Sequence, residues 1–267
     1  MGECFIMNKF WILIECWPLN YMNTHEQRHR GVHLNDQALF SGEQLLHLRD
    51  AVYEFCRLLD RSYARHSVIR LVGDHHQLTK RQRLAISRAA CSNINRELRK
   101  TTCLRIEQIK DRQLVIDGFN LIISIETAMA GGLLLRCCDG CIRDIAGIHG
   151  TYRLVHETRQ AIELIGNVLQ AFSPASVLWL FDKPVSNSGR LAEMVRDIAN
   201  AHCWNWQAEL IESPDQAIRS SRKVAITSDS AILDGGVQWV NLGAYLITNH
   251  FHESWLIDFS DALNKPE

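Results

Sequence analysis

Short apolar runs alternate with helical segments in the second half of this sequence, and this alternation is its strongest constraint on the fold. Each run is long enough for a buried strand, and three of them contain or lead into an aspartate. Apolar strands separated by helices form βαβ units, in which the strands run parallel. We therefore predict an α/β domain with a mostly parallel sheet over residues 114–267. The first predicted strand lies in Leu114–Asn120, where an apolar run ends in Asp and Gly and a turn leads to a helix. The other predicted strands are Val177–Asp182, Trp206–Ile211, Val224–Asp229 and Val237–Leu242.

Helical periodicity fills the gaps between these strands. Apolar residues recur at helical spacing over Leu121–Ala130, over Tyr152–Phe172 and from Leu191 to Ile198. The two patterns together are those of an α/β architecture.

The first half of the chain has only the helical pattern. Apolar residues predict a helix over residues 41–59, with Ser41 and Gln44 as a capping box, a second over Ala64–Val72, and a third from Thr79 to Leu98. Residues 41–113 are thus predicted to form an all-α module. They follow an N-terminal extension, residues 1–40, for which the pattern predicts no structure.

Charge is divided unevenly between these halves, although the formal net charge is only −1. Met22–Gln113 holds 17 basic and 10 acidic residues, whereas Leu114–Glu267 holds 11 basic and 18 acidic residues. Such a split is typical of modules with different partners, one of which meets a polyanion. The alternative is that the two oppositely charged halves pair with each other.

Three arginines make the third predicted helix the most basic element. Arg81, Arg88 and Arg99 are 7 and 11 residues apart and are predicted to share one helical face. A row of arginines on a rigid helix contacts successive phosphates of a nucleic acid. The alternative is a solvated helix face, because few of the aromatic residues that stack on bases accompany the charges.

Three aspartates, Asp117, Asp182 and Asp229, follow predicted strands and carry the main functional hypothesis. Ligands bind at the carboxyl ends of parallel strands, so residues that are 65 and 47 positions apart are expected to meet at one edge. Clustered carboxylates repel one another unless a cation joins them, and their hard oxygen atoms suit Mg²⁺ or Mn²⁺. Such an ion activates water for phosphodiester hydrolysis. The alternative is that each aspartate only caps a helix.

The nine cysteines are odd in number and mostly far apart, which favours reduced thiols in a cytoplasmic protein over a disulfide framework. Cys137, Cys138 and Cys141 form the only cluster. For this cluster, small buried residues around a turn are favoured over a metal site or a redox pair.

Two further segments suggest sites but carry weaker signals. Asp74-His75-His76 resembles the signature triplet of a phosphoesterase superfamily, but it is predicted to lie in a turn between helices without the additional aspartates of such enzymes. The apolar stretch Phe10–Trp17 is too short to span a bilayer, which needs about 20 residues. We therefore expect no membrane partner.

The aspartate motifs resemble those of the NYN and PIN-like nucleases. The resemblance rests on LVIDGFN at Leu114–Asn120, LWLFD at Leu178–Asp182 and the triplet Thr227–Asp229, and it covers roughly residues 114–258. It implies a metal-dependent ribonuclease or RNA-processing fold. The whole chain also resembles a prokaryotic two-module family whose N-terminal half is known as domain of unknown function 434, through the stretches Leu71–Ser92, Arg143–Gly150 and Phe181–Ala192.

Applied to this sequence, the resemblance implies that Asp117, Asp182 and Asp229 ligate the metal and act in catalysis. Asn120 is expected to orient the turn after Asp117. The additional acidic ligands are expected among Glu126, Asp144 and Asp234.

Substrate contacts are predicted around the same edge. Hydroxyl and N–H groups at the start of a helix bind phosphate, and a nearby arginine supplies the opposite charge. Arg143 and His149 border the edge as further candidates for contact with RNA, as does the row Arg81, Arg88 and Arg99. The phosphate-binding loop is predicted to consist of Ser186, Asn187, Ser188 and Arg190.

These observations favour metal-dependent RNA cleavage by a two-module protein, with RNA as partner and Mg²⁺ or Mn²⁺ as cofactor. A homo-oligomer is compatible with the sequence. The rival interpretation is a non-catalytic PIN-like module that binds RNA, a nucleotide or a protein partner.

Overall fold

The computed structural model describes residues 29–146 and 150–263. The sequence predictions for residues 1–28 and for His149 lie outside the described residues. Within the described part, helices make up the N-terminal region, and strands alternate with helices after it, as predicted. None of the helices in these two ranges has the length and apolar character that crossing a membrane requires.

Five helices form the N-terminal region. The predicted cap at Thr79 is confirmed, since its hydroxyl accepts from the N–H of Gln82 in a complete capping box. The predicted capping box at Ser41 and Gln44 is wrong, because the second helix begins after Gly42, at φ +54, and the Ser41 hydroxyl donates to the carbonyl of Gln37. The helices are α1 (Asp36–Leu39), α2 (Glu43–Asp60), α3 (Arg65–His75), α4 (Lys80–Ala89) and α5 (Asn93–Thr102).

The third predicted helix is in fact the two helices α4 and α5. Ala90 adopts an extended conformation, and Ser92 caps α5 by accepting from the N–H of Asn95. The prediction missed this break because the apolar residues keep a helical spacing across it. Arg88 and Arg99 therefore lie on different helices, and the predicted common face of the three arginines is wrong.

The α/β region contains nine strands and six helices within the described ranges, and all five predicted strands are confirmed. The predicted helix at Tyr152 begins later, at Thr158. The elements are β1 (Cys103–Leu104), β2 (Gln113–Asp117), α6 (Gly118–Met129), β3 (Leu134–Arg136), β4 (Ile142–Asp144), α7 (Thr158–Ala171), β5 (Ser176–Asp182), α8 (Ser188–Ala201), β6 (Trp206–Ile211), α9 (Pro214–Ser220), β7 (Val224–Ile226), α10 (Ser230–Leu233), β8 (Trp239–Val240), α11 (Leu242–His250) and β9 (Leu256–Asp258), with 3₁₀ helices at Ile106–Ile109 and Ser260–Leu263.

Six of these strands form one sheet, in the order β1-β8-β7-β2-β5-β6, and every neighbouring pair is parallel. This confirms the predicted parallel sheet. The chain builds outward from β2 through β5 to β6, and then returns to the other side of β2 to add β7 and β8. An open parallel sheet binds its ligands where the strand order reverses, outside the carboxyl ends of the strands. That position is the end of β2.

A second, three-stranded sheet joins the helical region to the large sheet. Strand β3 pairs antiparallel with β4 and parallel with β9. Its buried side chains share one core with the helices, in which Phe55 and Ile86 pack in the same cluster as Leu135 and Phe259. Strand β1 precedes the predicted boundary at residue 113 but belongs to the large sheet. The helical region and the α/β region are therefore not separated at that residue.

The cysteine cluster lies buried around the turn between β3 and β4, as predicted. Cys137, Cys138 and Cys141 are all at most 5% exposed, and burial raises the pKa of the Cys137 thiol to about 11. The Sγ atom of Cys138 lies 3.9 Å from that of Cys56 on α2. The cluster therefore packs the hairpin against the helical region.

Candidate functional site

A cleft of about 310 Å³ opens at the carboxyl ends of β2 and β5, where the strand order reverses. Asp117, Asp182 and Asp229 all line it, and so does the predicted additional ligand Asp144. The fold thus brings four of the six predicted acidic positions to one place. The remaining lining residues are Arg88, Phe119, Asn120, Ile123, Ala146 and Asp215.

Asp117 is the most buried of the three predicted catalytic aspartates, with 8% of its surface exposed. Asp117 is also the N-cap residue of α6. Thr227 donates a hydrogen bond to its Oδ2 atom over 2.9 Å. Burial, together with the charge of Asp229, raises the pKa of Asp117 to about 7. Asp117 is therefore a carboxylate whose ionised form lacks a compensating positive charge.

Asp229 lines the cleft and also caps a helix. Its Oδ1 atom accepts from the N–H of Ala231 at the start of α10, over 2.6 Å. Its own N–H donates to the Thr227 hydroxyl, which in turn donates to Asp117. The Thr227–Asp229 motif thus connects the two carboxylates, and one oxygen of Asp229 is already engaged in the cap.

Asp215 is a cleft residue that the sequence prediction missed. It lies in the first turn of α9, after Pro214 and close behind the end of β6. Burial raises the pKa of Asp182, and the charges of Asp215 and Asp229 raise it further. Burial and Asp229 likewise raise the pKa of Asp215. The prediction considered only aspartates at the end of a strand, and the Pro-Asp start of a helix after the third predicted strand was the signal that could have revealed this one.

The carboxylates of this acidic cleft are near one another but not in close contact. No three of them bring oxygen atoms within 4.8 Å of one another in this part of the described chain. Burial and, after it, the charges of neighbouring aspartates raise the pKa values of Asp117, Asp182 and Asp215.

The turn after Asp117 depends on a close approach at Gly118. A Cβ atom on Gly118 would lie 2.2 Å from Cε1 of Phe181, whose ring is fully buried and stacks on Trp179. Two residues later, the Asn120 Oδ1 atom accepts from both the N–H and the hydroxyl of Ser228. Asn120 therefore ties the start of α6 to the end of β7, which holds Asp117 and Asp229 in fixed relation.

We expect Gly118→Ala to destabilise the protein by about 1–3 kcal/mol, because the added methyl overpacks a core that has no room for it. Denaturant unfolding measures the loss. Gly189→Ala is the matched control, since a Cβ there meets nothing closer than 3.9 Å at the start of α8. Alanine favours a helix over glycine by up to about 1 kcal/mol, so the control should be neutral or more stable. Equal stability of the Gly118→Ala variant and the wild type would contradict the packing argument.

Arg88 brings the helical region into the cleft. Its Nη1 atom donates to the backbone carbonyl of Asp144 over 2.6 Å and lies 3.3 Å from the Oδ1 atom of the same residue. The Oδ2 atom of Asp144 accepts from the hydroxyl of Ser124. Of the three arginines predicted to contact a nucleic acid, Arg88 alone lines the acidic cleft.

The structure corrects the predictions for Arg81 and Glu126. Arg81 donates to the buried carboxylate of Asp36, so its charge is already compensated. Glu126 is fully buried and accepts hydrogen bonds from Tyr152, Thr158 and Arg30. It does not line the cleft, because it lies too far along α6 to face the sheet edge.

The structure also corrects the predictions for Asp234, Arg99 and Arg143, which form a buried ion network with Asp139. Arg99 is 1% exposed and donates to Asp139 and, over 2.5 Å, to Asp234. Arg143 donates to Asp139 over 2.6 Å and to the carbonyl of Ser228 over 2.7 Å. These groups neutralise one another inside the protein and do not line the cleft. The pairing of the oppositely charged halves is thus real at Arg99.

The predicted phosphate loop, residues 186–190, also lies outside the cleft lining. Asn187 has φ +67, and its side-chain amide donates to the carbonyl of Tyr152 over 2.7 Å. Ser188 is buried, and the N–H of Ser186 donates to the carbonyl of Gly150. These groups stabilise the loop itself, whereas the side chain of Arg190 is exposed. The structure therefore corrects the prediction of a phosphate site in this loop.

Comparison with known proteins places the acidic cleft in a family. Residues 106–245, which are 140 of the 267 residues, match the family described as Domain of unknown function (DUF5616). The chain belongs to the DUF5616 family. Residues 47–101 match the family described as Protein of unknown function (DUF434), which confirms that part of the sequence resemblance.

A relative in the archaeon Methanocaldococcus jannaschii, described as an uncharacterised protein, is 30% identical over 186 residues. The match covers 70% of this chain and 88% of the relative. No solved structure matches the chain significantly. Neither family description names a nuclease.

The cleft combines residues from both matched segments. Asp117, Asp182, Asp215 and Asp229 lie in the DUF5616 segment, whereas Arg88 lies in the DUF434 segment. The cleft of this DUF5616 protein is therefore lined by aspartates of one segment and an arginine of the other.

Proposed function

We propose that the acidic cleft binds Mg²⁺ or Mn²⁺ and hydrolyses phosphodiester bonds in RNA. The observation that carries this proposal is the convergence of four aspartates, which follow β2, β5, β6 and β7, on one cleft, where the pKa values of Asp117, Asp182 and Asp215 are raised. Carboxylates held in such an arrangement gain most when a divalent cation replaces the missing positive charge. Their oxygen atoms are the donors that Mg²⁺ and Mn²⁺ prefer.

Each side chain of the cleft has a separate role in this proposal. Asp117, Asp182 and Asp229 hold the ion, and Asp215 adds a fourth negative charge next to Asp182 and Asp229. The bound ion supplies polarisation of the phosphate and a more acidic water molecule. Asn120 and Thr227 position the aspartates through the hydrogen bonds described above.

Arg88 contacts the substrate in this proposal. Its guanidinium reaches the cleft from α4 and is oriented by Asp144, at the side of the cleft formed by β4. An arginine in this position pairs with a phosphate of the RNA strand and offsets the repulsion between phosphates and aspartates. The contact with phosphates that was predicted for three arginines is thus proposed for Arg88 alone.

The proposal is tested by incubating the protein with mixed RNA in Mg²⁺, Mn²⁺ or EDTA. We expect cleavage with either cation, none in EDTA, and a loss of about 10²-fold or more in Asp182→Asn, because the variant weakens the hold on the ion. Asp197→Asn, which changes an exposed aspartate of α8, is the matched control and should cleave like the wild type. Equal cleavage by Asp182→Asn and the wild type, or cleavage in EDTA, would contradict the proposal.

A second candidate function is non-catalytic binding of RNA by the same cleft. The observation in its favour is that one carboxylate oxygen of Asp229 accepts the capping hydrogen bond of α10, which leaves fewer oxygen atoms to ligate an ion. Binding of RNA that weakens with salt, in the absence of any cleavage with Mg²⁺ or Mn²⁺, would support this candidate.

A further inference from the structure

Glu54, His75 and His76 form a cluster of metal-ligand groups that does not line the acidic cleft. Glu54 belongs to α2, His75 is the last residue of α3, and His76 follows it as the C-cap. One ligand atom from each residue lies within 4.8 Å of the other two. Among the residues that the structure describes, no other three His, Cys, Asp or Glu side chains meet this limit.

We propose that this cluster binds a divalent transition-metal ion of the Zn²⁺ type, and that the ion joins α2 to the end of α3. Two imidazoles and one carboxylate are a donor set that suits Zn²⁺, Co²⁺ or Ni²⁺. The acidic cleft, by contrast, offers only carboxylate ligands and suits Mg²⁺ or Mn²⁺. The two sites therefore differ in the cation that each selects.

The geometry of the cluster is close to what the ion needs. The Nε2 atom of His76 lies 2.9 Å from the Oε2 atom of Glu54. Ligand atoms about 2.0–2.1 Å from a tetrahedral ion are about 3.4 Å apart, so this pair needs to open only slightly. The ion takes the place of the hydrogen that the two atoms share. In the proposed site the exposed His75 supplies the third ligand atom, which lies within 4.8 Å of the other two.

Burial and neighbouring contacts distinguish this cluster from a chance surface contact. The side chain of His76 is only 11% exposed and packs edge-on against the ring of His75, with 4.9 Å between the ring centroids. Asp74 is excluded from the donor set, because its exposed carboxylate pairs with Arg83 over 2.7 Å. The triplet noted in the sequence therefore contributes its two histidines, and α2 supplies the third ligand. Three protein ligands leave one tetrahedral position for water.

The proposal is tested by titrating the full-length, metal-free protein with Zn²⁺ by calorimetry and with Co²⁺ by visible absorption. We expect one tight site and, at about 100 times Kd, a thermal midpoint that rises by several degrees. His75→Gln should bind at least about tenfold more weakly, since even partners outside the ligand set cost about 10–100-fold when removed. Its fold should be unaffected, because His75 is exposed, and an unchanged midpoint without metal verifies this.

Two further variants make the outcome decisive. His66→Gln changes another exposed histidine of α3 and should bind Zn²⁺ like the wild type. Asp182→Asn should also keep the Zn²⁺ site, so this proposal stands or falls independently of RNA cleavage. Unchanged affinity in His75→Gln, or no tight site in the wild type, would overturn it.

Discussion

Asp117→Asn is expected to lower the rate of RNA cleavage by about 10³-fold or more and, at pH 8 without metal, to make the protein more stable. Both effects arise from the same carboxylate. Ionised Asp117 holds the cation in the proposed site, but without the cation it is a buried negative charge next to Asp229. Asparagine keeps the shape and still accepts the hydrogen bond from Thr227, while removing that charge.

The stability gain should depend on pH in a defined direction. The pKa of Asp117 is raised from an ordinary value near 4 to about 7, so the folded wild type binds more protons than the unfolded chain between these values. Wild-type stability therefore falls as pH rises through this window. Full conversion of the shift gives an upper limit of about 4 kcal/mol for the advantage of the variant at pH 8, and little advantage at pH 4.

Thermal unfolding of the two proteins at pH 4.5 and pH 8, with and without Mg²⁺, measures this difference. Added Mg²⁺ should stabilise the wild type more than Asp117→Asn, because only the wild type presents the full set of carboxylates. Asp197→Asn provides the control for removal of an exposed charge. A variant that is less stable than the wild type at pH 8, or that retains Mn²⁺-dependent cleavage, would refute this account of Asp117.

Asp139→Asn is expected to destabilise the protein by about 3–5 kcal/mol, the usual cost of removing one partner from a buried ion pair. The Asp139 side chain is fully buried and accepts from both Arg99 and Arg143. Although burial opposes its ionisation, these two guanidinium groups hold the pKa of Asp139 well below its ordinary value. Among the described residues, Asp139 is the carboxylate to which Arg143 donates, so the variant removes that ion pair. Arg99 then keeps only its ion pair with Asp234.

Unlike the effect of Asp117→Asn, this loss should not change between pH 5 and pH 8. A lowered pKa means that Asp139 contributes stability at all pH values above its unfolded value near 4, so the penalty should stay constant from pH 5 to pH 8. Urea unfolding at both pH values measures it. Glu163→Gln, which breaks the exposed Arg159–Glu163 pair on α7, should change stability by less than about 1 kcal/mol. A similarly small effect of Asp139→Asn would show that the network is not a structural element.

The two variants also distinguish the aspartates of the cleft from the buried ion network of Asp139, Arg99 and Arg143 behind it. Arg143 donates to the carbonyl of Ser228, the residue before Asp229. The buried ion network therefore contacts the segment that follows β7. Asp139→Asn should therefore reduce cleavage only as far as it disturbs this strand end, whereas Asp117→Asn removes a proposed ligand directly.

The sheet and the convergence of its aspartates could be predicted because they follow from local patterns. An apolar run such as Val177–Asp182 predicts a strand without reference to the rest of the chain. The alternation of such runs with helices predicts that the strands are parallel. Parallel strands then place Asp117, Asp182 and Asp229 at one edge whatever the loops between them do. The strands β1, β3, β4 and β9 were not predicted, since each has only two or three residues; β7 and β8 are equally short, but each lies within a longer run that was predicted as a strand.

The roles of the charged side chains were decided by the tertiary structure. Arg81, Arg88 and Arg99 have the same charge and similar sequence surroundings, yet one pairs with Asp36, one lines the cleft and one is buried. The partners of a charge are set by contacts between residues far apart in sequence, such as the 135 positions that separate Arg99 from Asp234. The sequence by itself therefore determined where the acidic edge lies, because local patterns fix the strands and the helices between them, and a helical crossover makes successive strands parallel. Only the folded chain decided which charges remain available there, because burial and pairing depend on every element that packs around them.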